Sequence, residues 1–157
     1  MLEPEESIQP GKPYERICLG VLGKREDIKK EDVYDKIIQP IVKTLGKEPD
    51  YIYLSTDGTS NIFIGDWAER NNIKSESIIA DWKKLGRKAV VLRDARIIKS
   101  ATHLLIFEQP KSEYNTKIGL RELKKGKQVF CITKEKDFEI EHWEIQTNKQ
   151  ECLLIDA

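Results

Sequence analysis

The chain has 157 residues and carries 27 Lys+Arg against 27 Asp+Glu, so its formal net charge is zero. With an isoelectric point near 6.8, that balance excludes a strongly basic nucleic-acid binder and gives no general attraction to anionic membranes. Charged residues make up 34% and apolar ones 39%, the latter in blocks, the pattern of one folded domain with a polar surface and its own core.

No apolar run approaches the roughly 18 residues of a membrane span, and the acidic start from Met1 to Gln9 has no basic segment leading into an apolar one. Neither a membrane partner nor a secretory signal is expected. Cys18, Cys131 and Cys152 share no metal-like spacing; they read as structural thiols of a cytoplasmic protein.

Residues 1–14 carry three prolines and a cluster of glutamates and read as a flexible lead-in. An alternation of strands and helices follows over 15–133. Arg16 to Leu22 is a short apolar run, a buried-strand signal. Glu31 to Leu45 places Val33, Tyr34, Ile37, Ile38, Ile41, Val42 and Leu45 at helical spacing, and Pro40 should kink or split that helix. The pattern then predicts a strand at Tyr51–Leu54, a helix at Gly58–Asn71, a strand at Ile73–Ala80 and a helix at Arg87–Ala101. A strand at His103–Phe107, a helix at Ser112–Lys125 and a strand at Gln128–Ile132 complete it. Five short apolar strands separated by helices call for an α/β fold: a mostly parallel, doubly wound, Rossmann-like sheet with helices on both faces. Residues 134–157 form a C-terminal extension, with Phe138 to Trp143 suited to an added edge strand or to packing on a partner.

In such a sheet ligands bind beyond the carboxyl ends of the strands. The first loop there offers Gly20, Gly23 and Lys24, although without the full dinucleotide spacing. The second, Ser55-Thr56-Asp57-Gly58-Thr59-Ser60-Asn61, is rich in hydrogen-bonding groups and suits a phosphate or a ribose; N-capping by Asp57 or Thr56 accounts for part of it. On the third helix Val90, Val91, Ala95, Ile97, Ile98 and Ala101 share one face, and Asp94 falls near its centre. A carboxylate there needs a partner. It either bonds backbone N–H groups of a nearby loop or holds a sugar hydroxyl, with Arg93 flanking it. Lys111, before the fourth helix, is an anion candidate and otherwise a surface charge.

Catalytic signals are sparse. His103 and His142 read as structural, and no Walker loop, nucleophile elbow or metal-spaced His/Cys set occurs. Neither a metal nor a cofactor is expected. Among the tryptophans, Trp82 is the best candidate to stack on a base.

The stretch Ala80-Asp81-Trp82-Lys-Lys-Leu85-Gly86-Arg87-Lys-Ala89-Val-Val-Leu-Arg93-Asp94-Ala-Arg96-Ile97 resembles A-D-W-x-x-Y-G-x-x-A-G-x-x-R-N-x-x-M of the YspA/YpsA-related Rossmann-like family in the SLOG superfamily. Asp81, Trp82, Gly86, Ala89 and Arg93 match, whereas Asp94 stands for Asn, Val90 for Gly and Leu85 for an aromatic. The resemblance implies binding of a nucleotide or nucleotide-derived molecule, and it favours a homodimer or higher homo-oligomer. The glycine-rich loops of that family have no counterpart at Ser55–Asn61 or at Gln109–Thr116, which implies a rebuilt pocket.

Three functions follow. The first is a binding module that senses or sequesters a nucleotide derivative, such as an NAD or ADP-ribose derivative or a cyclic nucleotide, through Gly20, Gly23, Lys24, Ser55, Thr56, Asp57, Gly58, Thr59, Asn61, Trp82, Arg93, Asp94 and Lys111. The second is an N-glycoside hydrolase or transferase using Asp57 or Asp94. The third is an inactive Rossmann-like interaction protein whose tail mediates assembly.

Overall fold

The structure, a computed structural model, describes residues 16–108, 113–133 and 139–143. Its strands are β1 (Cys18–Leu22), β2 (Tyr51–Ser55), β3 (Lys74–Ile78), β4 (His103–Phe107), β5 (Gln128–Ile132) and β6 (Ile140–Trp143). They form one sheet in the order β3-β2-β1-β4-β5-β6. The first five are parallel, and β6 runs antiparallel to β5 with Ile140 beside Ile132. The expected five-stranded sheet therefore becomes six-stranded, one edge strand coming from the C-terminal extension. The lead-in at 1–14 lies outside the described residues, as does the rest of that extension.

The helices are α1 (Lys30–Asp32), a π-helical segment (Val33–Ile38), α2 (Gln39–Leu45), α3 (Thr59–Arg70), α4 (Trp82–Leu85), α5 (Lys88–Ser100) and α6 (Tyr114–Lys124). The kink or split expected at Pro40 takes the form of a split: the chain widens just before the proline. The Gln39 N–H donates to the Tyr34 carbonyl, five residues back. Pro40 has no N–H with which to continue that register, so ordinary helix resumes with the proline in its first turn.

Crossovers bury the central strands from both sides, and β1 and β4 are buried along their whole lengths. Leu19, Val21, Ile52, Leu54, Leu105 and Phe107 pack on one face against Ile37, Ile41, Ile64 and Trp67 of the π segment, α2 and α3. Leu22, Leu104, Ile106, Val129 and Cys131 pack on the other against Ile97, Ile98, Ile118 and Leu123 of α5 and α6. That two-faced burial, with the order of the sheet, is a doubly wound Rossmann-like fold. Burial pushes the Cys131 thiol up to about 12, so it behaves as an inert apolar group. No helix among the described residues is long and apolar enough to cross a membrane.

Gly20 sits where β1 passes beneath α5. A Cβ added there would lie 2.8 Å from Ile97 Cγ2 and 2.9 Å from Ala101 Cβ. The residue is thus needed for strand–helix approach, and Gly20→Ala is expected to cost about 1–3 kcal/mol by overpacking. Urea unfolding of the two proteins measures it; an unchanged midpoint would show that α5 yields without cost.

Candidate functional site

The crossover direction reverses between β1 and β4. Loops leaving two neighbouring strands in opposite directions open a crevice at the carboxyl ends of the sheet. A cleft of about 200 Å³ lies here. Gly23 and Lys24 line it from the loop after β1, and Ser55 and Asp57 from the end of β2 and its loop. Val90, Arg93 and Asp94 line it from α5, and Tyr114 and Asn115 from α6.

The start of α3 determines what the second loop can do. Gly58 has φ +99°, and a Cβ on it would lie 2.6 Å from Lys24 Cβ, so only glycine fits this turn. The expected cap, Asp57 or Thr56, is not used. Glu26 takes that role: its Oε1 accepts from the Thr59 N–H and from Thr59 Oγ1, both at 3.0 Å. The Ser60 N–H donates to the Arg25 carbonyl at 3.0 Å, and the Arg25 N–H donates to Ser60 Oγ at 2.8 Å. A carboxylate at a helix N-terminus meets the positive end of the backbone dipoles. The Thr59 N–H first, and then Lys24, hold Glu26 below the usual carboxylate range.

With α3 capped from elsewhere, Asp57 turns toward the cleft. Lys24 Nζ lies 3.2 Å from its Oδ2 and Arg93 Nη1 3.3 Å from its Oδ1. Burial alone would raise this carboxyl; Ser55, Lys24 and Arg93 outweigh it and keep the group below its ordinary range. Asn61, fully buried, ties the loop down. Its Nδ2 donates to the Asp57 carbonyl at 2.9 Å, Ser55 Oγ at 3.0 Å and the Gly23 carbonyl at 3.2 Å, while its Oδ1 accepts from none of the described residues.

Asp94 is only 3% exposed. Of the two expected roles the loop-bonding one is not seen, because its partner is Arg93, with Nε 3.2 Å from Oδ1. Burial drives the Asp94 carboxyl above its usual range against the attraction of Arg93, and the nearby Asp57 charge adds to the rise. Glu26, Lys24, Asp57, Arg93 and Asp94 form a continuous string of alternating sign. Such a string balances itself, so the cleft is not a bare cationic bowl. It offers a guanidinium, two carboxylates and hydroxyls at short range, a set suited to a polyhydroxylated ligand with at most a modest negative charge.

Of the residues singled out in the sequence, Gly23, Lys24, Ser55, Asp57, Arg93 and Asp94 line the cleft. Gly58, Thr59 and Asn61 shape its wall by the contacts above. Gly20 does not line it, being held beneath α5. Thr56 lies in a neighbouring groove with Ser77 and Gly65. Trp82 is 58% exposed on α4 and is not among the cleft residues. The third strand ends at Ile78 rather than Ala80, and Asp81 caps α4 by accepting from the Lys84 N–H at 3.2 Å, which turns the chain away. Lys111 lies outside the described residues.

Sequence reasoning missed Glu26, Val90, Tyr114 and Asn115. Val90 carried a signal, since it lies on the apolar face around Asp94. Glu26 carried none, the residue it caps being 33 positions away. Both histidines sit in structural contacts: His103 Nδ1 lies 2.8 Å from Thr102 Oγ1, and His142 Nε2 lies 2.8 Å from Gln128 Oε1 with its ring stacked on Phe130. Among the described residues no group of three or more His, Cys, Asp or Glu could hold a metal ion.

No protein-family model, no curated protein and no solved structure matches the chain. The fold is consistent with the generic nucleotide-binding Rossmann-like superfamily.

Proposed function

We propose that the β1/β4 cleft binds a nucleotide or nucleotide-derived small molecule, of the NAD, ADP-ribose or cyclic-nucleotide kind, and that the protein senses or sequesters it. The observation that carries this reading is Asp94, a buried carboxylate lining a crevice at the point where the sheet reverses. A carboxylate so placed is suited to accept from vicinal ribose hydroxyls, and Arg93 beside it can meet a phosphate or a carbonyl oxygen. The resemblance of residues 80–97 to the SLOG superfamily supports the same ligand class.

Mass spectrometry of small molecules released from the denatured protein, with a thermal-shift panel of nucleosides, nucleotides, NAD, ADP-ribose and cyclic dinucleotides, tests it. The expected result is an intact nucleotide derivative that raises the melting temperature. Asp94→Asn should bind it about tenfold more weakly, the effect of losing one charged hydrogen-bond acceptor. A panel in which nothing is bound and nothing shifts melting removes the reading.

A second reading, cleavage of the glycosidic bond, is supported by the two carboxyls in one cleft. Asp57 is held below its ordinary range by Ser55, Lys24 and Arg93, and Asp94 is pushed above it by burial. These are shifts in the opposed directions that a nucleophile and a general acid need. Recovery of free base and ribose phosphate in place of intact ligand, lost in Asp57→Ala, would make the protein an N-glycoside hydrolase.

A further inference from the structure

The β3 edge of the sheet is open to an unusual degree. Lys74, Ser75, Glu76 and Ser77 are all exposed, although alternate residues point to opposite faces. On the face shared with Ile52 and Leu54, the flank of α3 leaves Ile62 61% exposed. One turn further along that helix, a Cβ added to Gly65 would meet nothing within 4 Å. Together with Ser77 these two residues line a groove of about 180 Å³. A glycine inside a helix costs about 1 kcal/mol relative to alanine, and no contact among the described residues explains this one. Past the end of the strand, Ile79, Trp82 and Leu85 are exposed, and α4 buries none of its residues. A four-residue helix has almost no stability of its own without tertiary packing.

Proteins normally protect such an edge with a lone charge, a proline or a bulge. Here the charges come as Lys74-Ser75-Glu76, a run that reads with opposite sign when the direction is reversed. We propose that the β3 edge is the docking surface for a second copy of this chain, the two β3 strands pairing antiparallel about a two-fold axis at Ser75. Lys74 of each copy then faces Glu76 of the other, on the face shared with Tyr51 and Tyr53. A shift that centres the pair on Glu76 sets like charges against each other, so the charges also select the register. Among the described residues Glu76 has one ion-pair partner, Arg96 at 3.6 Å, with both groups exposed; such a pair is weak enough to be shared or exchanged. The same axis brings the Ile62–Gly65 flanks of the two α3 helices toward each other, which gives the open glycine a neighbour, and makes the contact isologous. The six-stranded sheet continues through the interface. The β1/β4 cleft, separated from this edge by β2, stays open, and pairing at the edge does not depend on what that cleft binds.

Sedimentation velocity on the full chain over a dilution series tests it. The wild type should run at twice 18.2 kDa, and Lys74→Glu and Glu76→Lys should each weaken the dimer about tenfold or more. Mixed one to one, the two variants should dimerise again, because the edge of one then carries only acidic groups and meets an edge that carries only basic ones. A wild type that stays at 18.2 kDa up to millimolar concentration overturns the proposal. So does a dimer indifferent to both charge reversals, or a pair of variants that does not reassociate on mixing.

Discussion

Replacing Arg93 by alanine is expected to destabilise the fold by about 3 kcal/mol at neutral pH, the scale of breaking a buried ion pair from one side. Among the described residues Arg93 is the only cation within ion-pair distance of Asp94. Its loss leaves a charge in a site that is 3% exposed. The pH dependence identifies the cause. Asp94 has a raised carboxyl in the folded state, so the folded chain binds its proton more readily than the unfolded one. Its contribution to stability therefore falls as pH rises. Removing Arg93 removes an attraction that opposes this rise, so the variant should recover much of its loss on going from about pH 8 to about pH 5. Urea unfolding across that range measures it, with Arg93→Ala/Asp94→Asn as the control that should recover stability at every pH. A deficit equal at both ends of the range would mean that lost packing of the Arg93 stem, rather than the uncompensated charge of Asp94, is responsible.

Glu122→Ala should also be destabilising, and its deficit too should shrink toward acid, here because the carboxyl it removes is held below rather than above its ordinary range. Glu122 is 2% exposed within α6. Lys127 Nζ lies 2.9 Å from its Oε1, and Arg121 Nε and Lys125 Nζ lie 3.1 and 3.2 Å from its Oε2. Lys127 also donates to the Ile98 carbonyl at 2.6 Å, so the cluster fastens the end of α6 to α5. Burial alone would raise Glu122; Lys127 and Lys125 outweigh it and hold the carboxyl below its normal value. A lowered folded value means that the stabilisation is complete above the unfolded glutamate value of about 4.3 and disappears as pH falls through the folded one. The alanine variant is expected to lose about 1–2 kcal/mol near neutrality, mainly through the contacts of half-buried Lys127, since Arg121 and Lys125 are exposed enough to return to water. Near the acid end it should approach the wild type. Chemical denaturation at neutral and acid pH decides it; a difference that persists undiminished into acid would rule out the ion cluster as its source.

The central strands are legible because their burial leaves near-continuous apolar runs, as in His103-Leu-Leu-Ile-Phe107. The third lies within its expected span, Ile73–Ala80, and ends two residues early at Ile78; its polar start, Lys74-Ser-Glu-Ser77, suits an exposed edge beside Tyr51–Ser55. The added edge strand at Ile140–Trp143 is one of the two options that the sequence leaves open, although Glu141 and His142 make its periodicity faint. Asp94 stands out because a charge on an apolar helical face is anomalous by itself, without knowledge of its partner. What caps α3 is illegible for the opposite reason. Glu26 sits in a run of charges, Lys24 to Asp27, that any exposed turn could carry, and local pattern says nothing about a contact 33 residues away. Trp82 misleads because it closely follows the strand in sequence, whereas Asp81 redirects the chain into α4 before the tryptophan can face the cleft.

On the proposed reading of the cleft, Glu26 also bears on which ligands it would tell apart. In a Rossmann-like sheet the N-terminus of a crossover helix is the usual place for a ligand's phosphate, and the count of phosphates then dominates recognition. This chain fills that place with its own side chain. A guest therefore meets competition at α3 before it meets attraction, and its tail of charge wins little there. Discrimination moves to the string from Lys24 to Asp94, where each partner is already engaged and a newcomer must exchange contacts one for one. Exchange of that kind rewards shape and the placement of hydroxyls over total charge. If the cleft binds a nucleotide derivative as proposed, that exchange would favour a hydroxyl-rich ligand over ordinary polyphosphates.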